Sequence, residues 1–166
     1  MCTVVSFFHH LKRKSHFLGD FNEFTKYFKA ELLHHSYWPH LMSGWTRRFH
    51  PNVKILWYEE MKADMRSTIN DLCDFLDHPL TEDQKDVLEN HVEFDNMKQN
   101  VNAYHNKNYN SVATEFHFMR KGVVGDWANY FDEKTNKEYD QWIMDKIRGT
   151  GLEDLEVFKQ ILPNLD

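Results

Sequence analysis

The chain has 166 residues, 41% hydrophobic and 15% aromatic, with a formal net charge of −6. That is enough chain to bury one core, and too apolar a composition for a disordered segment. The acidic balance argues against a surface that coats nucleic acid, while leaving room for a local basic pocket around a small anion.

Cys2 and Cys73 supply no disulfide framework, which fits a reducing compartment. No apolar run approaches the about 20 residues that span a bilayer. Met1 to Phe8 is apolar but short, and it lacks the basic leading segment and small-residue cleavage site of a secretory signal. A cytoplasmic protein with no membrane partner is expected.

Val4, Phe7, Phe8 and Leu11 repeat at i, i+3, i+4 and i+7, the stripe of an amphipathic helix. Ser6, His9, His10 and Arg13 lie on its polar face. Gly19-Asp20 punctuates, with Asp20 placed to cap a second helix through Phe21, Phe24, Phe28 and Leu32. A third helix reads through Trp38, Leu41, Met42, Trp45 and Phe49 and stops near Pro51.

Val53 to Tyr58 is short, mostly apolar and follows Pro51-Asn52, as a strand buried on both sheet faces would. Helix resumes through Met65, Ile69, Leu72, Cys73 and Leu76. After Pro79, Thr81-Glu82-Asp83-Gln84 has the form of a capping box. Residues 98–118 are rich in Asn and read as a long loop, either a lid or binding loop or a disordered segment. A last strong helix carries Tyr139, Trp142, Ile143 and Ile147 and stops near Gly149. One strand among many helices leaves its sheet unaccounted for. The chain is therefore either all-α with one misread segment or part of a larger α/β domain, and the second explains more.

The segment Arg120-Lys121-Gly122-Val123-Val124-Gly125-Asp126-Trp127 carries the most chemistry. Arg120 offers a planar fork of N–H donors and Lys121 a compact charge. Gly122, without Cβ, lets its backbone N–H approach a bound oxygen, and the chain then enters what reads as a helix start. An anion site and a plain surface turn both suit these residues. The pairs His9-His10 and His34-His35 do not suit a metal, because helical neighbours point about 100° apart, and no zinc-type spacing is present.

Four segments together resemble the cytosolic sulfotransferase family. Arg120 to Trp127, followed by Asn129 and Phe131, resembles its Arg-Lys-Gly-x-x-Gly-Asp-Trp motif. Val5-Ser6-Phe7 with His9-His10 resembles its Val-Ser-Phe-Tyr-His-His helix. Leu56-Trp57-Tyr58-Glu59-Glu60-Met61-Lys62 resembles its strand-ending Tyr-Glu-Asp-Met-Lys. Phe94-Asp95-Asn96-Met97-Lys98-Gln99-Asn100 resembles its Phe-x-x-Met-Lys-x-Asn segment. The matches are in order and cover residues 3 to about 152.

The resemblance implies an α/β fold: the carboxyl-terminal part of a P-loop-like parallel-sheet domain, mostly helical here, with its strand at about 53–58. It implies 3′-phosphoadenosine 5′-phosphosulfate as sulfuryl donor and no metal. Ser6, Arg120, Lys121 and Gly122 would hold the donor's 3′-phosphate. Tyr58, at the carboxyl end of its strand, would contact the adenine, and Phe94 would pack near the base. The acceptor would be a small phenol, steroid, alcohol or amine.

The chain also departs from the family. An Arg-Asn-Pro-Lys-Asp segment precedes the family's Ser-bearing helix, and its Arg, the phosphosulfate loop with its Lys and the catalytic His have no counterpart here. His9 and His10 sit on the wrong segment for that role. Val92-Glu93 stands where the family carries Thr-Ser. Ala128, Asp132, Glu133 and Lys137 do not fit the vertebrate-type dimerisation motif, so the oligomeric state stays open. Residues 1–166 are accordingly expected to be a partial domain with no catalytic residue of its own, inactive alone. The alternative is a non-catalytic nucleotide-binding or interaction module derived from a sulfotransferase.

Overall fold

The structure is a computed structural model that describes residues 1–13, 16–32, 36–108 and 119–162. The chain divides into two compact units, one of Met1–Trp57 with Gly125–Asp166 and the other of Tyr58–Val124.

The first unit contains helices α1 (Cys2–Arg13), α2 (Phe21–Lys29) and α3 (Tyr37–Trp45), followed after residue 125 by a 3-10 helix (Asp126–Asn129), α8 (Glu133–Ile147) and α9 (Glu156–Ile161). Its interior is aromatic. Val4, Val5 and Phe8 of α1 meet Phe24 and Phe28 of α2, with Phe131 and Tyr139 closing the cluster. The rings stack edge to face: Phe8 and Phe24 have centroids 5.4 Å apart, Phe131 and Tyr139 4.9 Å. A second cluster joins Trp38 and Trp45 of α3 to Ile143 and Ile147 of α8, then Leu152, Val157 and Phe158.

Polar groups fix how these elements enter the core. Asp20 caps α2 in a full capping box, accepting from Glu23 N at 2.8 Å while the Glu23 carboxylate accepts from Asp20 N at 3.0 Å. Asp132 caps α8 through Thr135 N at 2.7 Å. The buried Tyr139 hydroxyl donates to the carbonyl of Thr25 at 2.7 Å, and the Trp45 indole donates to the carbonyl of Thr150 at 2.9 Å. Each satisfies a donor that burial would otherwise penalise. Burial also pushes the Tyr139 phenol well above its ordinary pKa.

The second unit consists of α4 (Tyr58–Ala63), α5 (Met65–Phe75), α6 (Glu82–Val92) and α7 (Phe94–Asn108), then the extended segment 119–124. The expected Thr81–Gln84 capping box forms, with Gln84 N donating to Thr81 Oγ1 and Thr81 N donating to Gln84 Oε1. Arg66 on α5 ties the unit together. Its guanidinium donates to Glu89 at 2.8 Å, Glu82 at 3.1 Å and Asp86, three carboxylates on one face of α6. Those bonds hold the Arg66 charge on, moving its pKa further up.

Several expectations are corrected. Among the described residues no strand forms. Val53–Trp57 is irregular backbone in no ladder, because a strand exists only with a hydrogen-bonded neighbour, and Tyr58 opens α4 instead of ending a strand. The expected loop 98–118 is helical to Asn108, carried by Phe94, Met97 and Val101 at helical spacing; residues 109–118 lie outside the described set. Leu32 and Phe49, expected on apolar helix faces, lie beyond the ends of α2 and α3 and are 71% and 85% exposed. His34 and His35 also lie outside the described residues.

Candidate functional site

The second unit gathers Tyr58, Phe94, Arg120, Lys121 and Gly122, while Ser6 lies exposed on α1 of the first. Within the second unit the defining contact is between Phe94, the first residue of α7, and Gly122. Gly122 has φ +66°, and a Cβ there would overlap ring atoms Cγ, Cδ2 and Cε2 of Phe94. The glycine is thus required twice, by its left-handed backbone and by the aromatic ring against it. Two sites read separately along the chain, the Phe-x-x-Met-Lys-x-Asn segment and the Arg-Lys-Gly segment, are one place in the fold.

Glu93 explains how Phe94 is held. Its carboxylate accepts from Asp95 N at 2.8 Å and Asn96 N at 3.3 Å, so it caps the start of α7. The Asn96 side chain adds bonds back to Asn90, to its carbonyl at 2.7 Å and its Oδ1 at 3.1 Å. The negative charge that replaces Thr-Ser of the family pattern is turned onto the amides of its own helix.

Two lysines complete this surroundings. Lys62 of α4 places Nζ 5.9 Å from the Phe94 ring centroid, and Lys98 of α7 places its Nζ 6.0 Å from it. Neither receives a role from residue pattern alone. Yet both stood in the matched segments, as the Lys of Tyr-Glu-Asp-Met-Lys and of Phe-x-x-Met-Lys-x-Asn.

Tyr58 is 44% exposed at the first turn of α4, so an aromatic face is available on the same unit. Arg120 is partly buried and Lys121 exposed. The motif's second half differs from expectation. Gly125, at φ +83°, precedes a 3-10 helix of 4 residues in place of a regular helix start, and Asp126 is buried, accepting from Asn129 Nδ2 at 2.9 Å. Asp126 is buried in the first unit and Trp127 packs against its aromatic cluster. On α1, His9 is engaged with the Tyr130 hydroxyl at 2.8 Å.

The donor set is cationic and rich in N–H groups, next to an aromatic ring. That combination suits an aryl-bearing phosphate: fork and point charge for the oxygens, ring for the base.

The chain is similar to known proteins over most of its length. The family model of the sulfotransferase domain matches residues 2–151. Luciferin sulfotransferase of Photinus pyralis is 33% identical over 154 residues, covering 89% of this chain and 42% of that protein. Sulfotransferase 1B1 of Mus musculus is 34% identical over 138 residues, covering 81% and 46%. The solved structure of retinol dehydratase in a complex with retinol and PAP superposes with a TM-score of 0.80 at 33% identity, covering 90% of this chain and 45% of that one. The mouse sulfotransferase SULT7A1 complexed with PAP shares the fold, with a TM-score of 0.81 at 24% identity over 98% of this chain and 59% of its own. The chain spans about half the length of the curated relatives it matches. With a family model matching nearly its whole length, this chain belongs to the sulfotransferase domain family.

Proposed function

We propose that residues 1–166 form the nucleotide-binding part of a parallel-sheet sulfotransferase domain that transfers a sulfuryl group from 3′-phosphoadenosine 5′-phosphosulfate to a hydroxyl or amine of a small acceptor. The observation that carries this reading is the seating of the Phe94 ring on the Gly122 backbone within Arg120-Lys121-Gly122. It sets an aromatic surface beside a guanidinium, an ammonium and a close-approach amide, the parts needed for a nucleoside phosphate.

Arg120 and Lys121 neutralise the donor's 3′-phosphate, and the Gly122 N–H donates to it. Phe94 packs near the adenine and Tyr58 offers a second aromatic contact. Ser6 is proposed as a hydroxyl donor to the same phosphate, on the strength of its segment's resemblance alone. That relatives are solved with PAP supports the nucleotide. The activated sulfuryl group belongs to the donor; these residues bind and orient it.

The chain alone is proposed to bind nucleotide without transferring sulfate. Phenols, steroids, aliphatic alcohols and amines are the acceptor classes of the complete enzyme, and its location is the cytoplasm. No helix among the described residues is long and apolar enough to cross a membrane.

The test is calorimetric titration of adenosine 3′,5′-bisphosphate into the chain and into its Arg120→Ala variant. Saturable binding weakened roughly tenfold or more by the substitution is expected, as for loss of charge-assisted hydrogen bonds to phosphate. Equal affinity of the two proteins, or sulfate transfer by the purified chain, would overturn the respective parts of the reading.

A further inference from the structure

Lys62 and Lys98 arrive from different helices, α4 and α7, and both place Nζ about one ring-contact distance from Phe94, at 5.9 and 6.0 Å. Two facts make this arrangement informative. Neither lysine forms an ion pair with a described residue, and Phe94 is the ring seated on Gly122. A fold that draws two ammonium groups to one ring concentrates like charge, a cost that a bound anion offsets.

The ring does not explain the gathering. Six ångströms is the outer limit of useful cation–π attraction. A side chain held that loosely, with four rotatable methylenes and three donors, is free to turn onto an oxygen within reach. Of the two acidic residues that flank Phe94, Glu93 spends its carboxylate on the α7 amides, and Asp95 is exposed in the first turn of α7. A phosphate monoester carries about −1.5 to −2 at neutral pH. Arg120 is partly buried, but Lys121 is exposed and its charge screened, so two further cations have a charge to neutralise.

We infer that Lys62 and Lys98 are additional ligand-binding residues that close on the 3′-phosphate of the nucleotide from the Phe94 side, opposite in sequence to Arg120-Lys121-Gly122. This rests on the nucleotide reading above. The two lysines then set the preference for a nucleotide with a 3′-phosphate over one without it. Arginine at either position retains the function, because the charge and the reach are kept.

The test compares adenosine 3′,5′-bisphosphate with adenosine 5′-monophosphate by calorimetry on the full chain. The proteins are wild type, Lys62→Gln with Lys98→Gln, and Lys62→Arg with Lys98→Arg, each checked for native helicity by circular dichroism. The expected result is a roughly tenfold loss of bisphosphate affinity in the Gln pair with little change for the monophosphate, shrinking at high salt. The Arg pair should stay within about threefold of wild type on the same argument. Equal loss for both nucleotides would make the lysines structural and overturn the inference. So would an unchanged bisphosphate affinity in the Gln pair, leaving the nucleotide reading intact. Failure of the wild type to bind either nucleotide would overturn both. If the Gln pair loses helicity, the decision passes to wild type, whose preference for the bisphosphate must fall as salt rises; a salt-independent preference overturns the inference.

Discussion

The Phe94 ring lies against the backbone of Gly122, with no room between them for a Cβ. The contact joins residues 28 positions apart in sequence and fixes where an aromatic surface stands relative to the Arg120-Lys121 charges.

Gly122→Ala tests it directly. Alanine is strained at φ +66°, by about 1 kcal/mol, and its methyl must displace the ring, at about 1–3 kcal/mol more. The expected outcome is a lower denaturant midpoint and loss of bisphosphate binding in calorimetry. A variant that binds as wild type does would show that the ring and the glycine are not part of one site.

Glu93→Ala should weaken α7 through loss of its cap, by about 1 kcal/mol. Glu93→Ser should not, because serine caps equally well and brings no charge. Circular dichroism reports the helix, and nucleotide titration reports the site. The serine variant is expected to bind bisphosphate more tightly than wild type, and unchanged affinity would show that the Glu93 charge is not felt there.

Tyr139 makes stability depend on alkali. Its phenol ionises near pH 10 in the unfolded chain and higher in the folded one, because burial disfavours the anion. Above about pH 10 the unfolded state binds fewer protons than the folded state, so stability falls as pH rises. Below that value the contribution is constant. Denaturation at a series of pH values checks it. Tyr139→Phe should flatten the alkaline decline, and should lose about 1–2 kcal/mol at neutral pH by leaving the Thr25 carbonyl without its donor.

Phe24→Ala removes a fully buried ring that touches Phe7, Phe8, Phe17 and Phe28. A loss of about 3–5 kcal/mol is expected in urea unfolding. A cost below about 1 kcal/mol would mean that the α1–α2 aromatic cluster is not the core of its unit.

Much of the first unit was legible in residue order. Val4, Phe8, Phe24, Phe28, Ile143 and Ile147 announce themselves by helical spacing, and all are buried. Asp20 and Thr81 announce helix starts because a cap needs only its own neighbours three residues on. Phe49 and Leu32 misled for the converse reason: periodicity does not say where a helix stops, and both lie just past an end. Val53 to Trp57 has the composition of a strand, but composition supplies no partner, and a ladder needs one.

The sequence by itself determined the family and the chemical types at the site, since Arg120, Lys121, Gly122, Tyr58, Phe94 and Ser6 are legible as residues in motifs. Tertiary structure alone decided which of these meet. Gly122 is required by a ring 28 positions earlier, Glu93 holds the start of α7 by bonding its own helix, and Lys62 and Lys98 converge on that ring. Caps and helix stripes are local, set by neighbours within a turn or two; contacts between distant segments depend on how whole helices pack, which no short window of residues encodes.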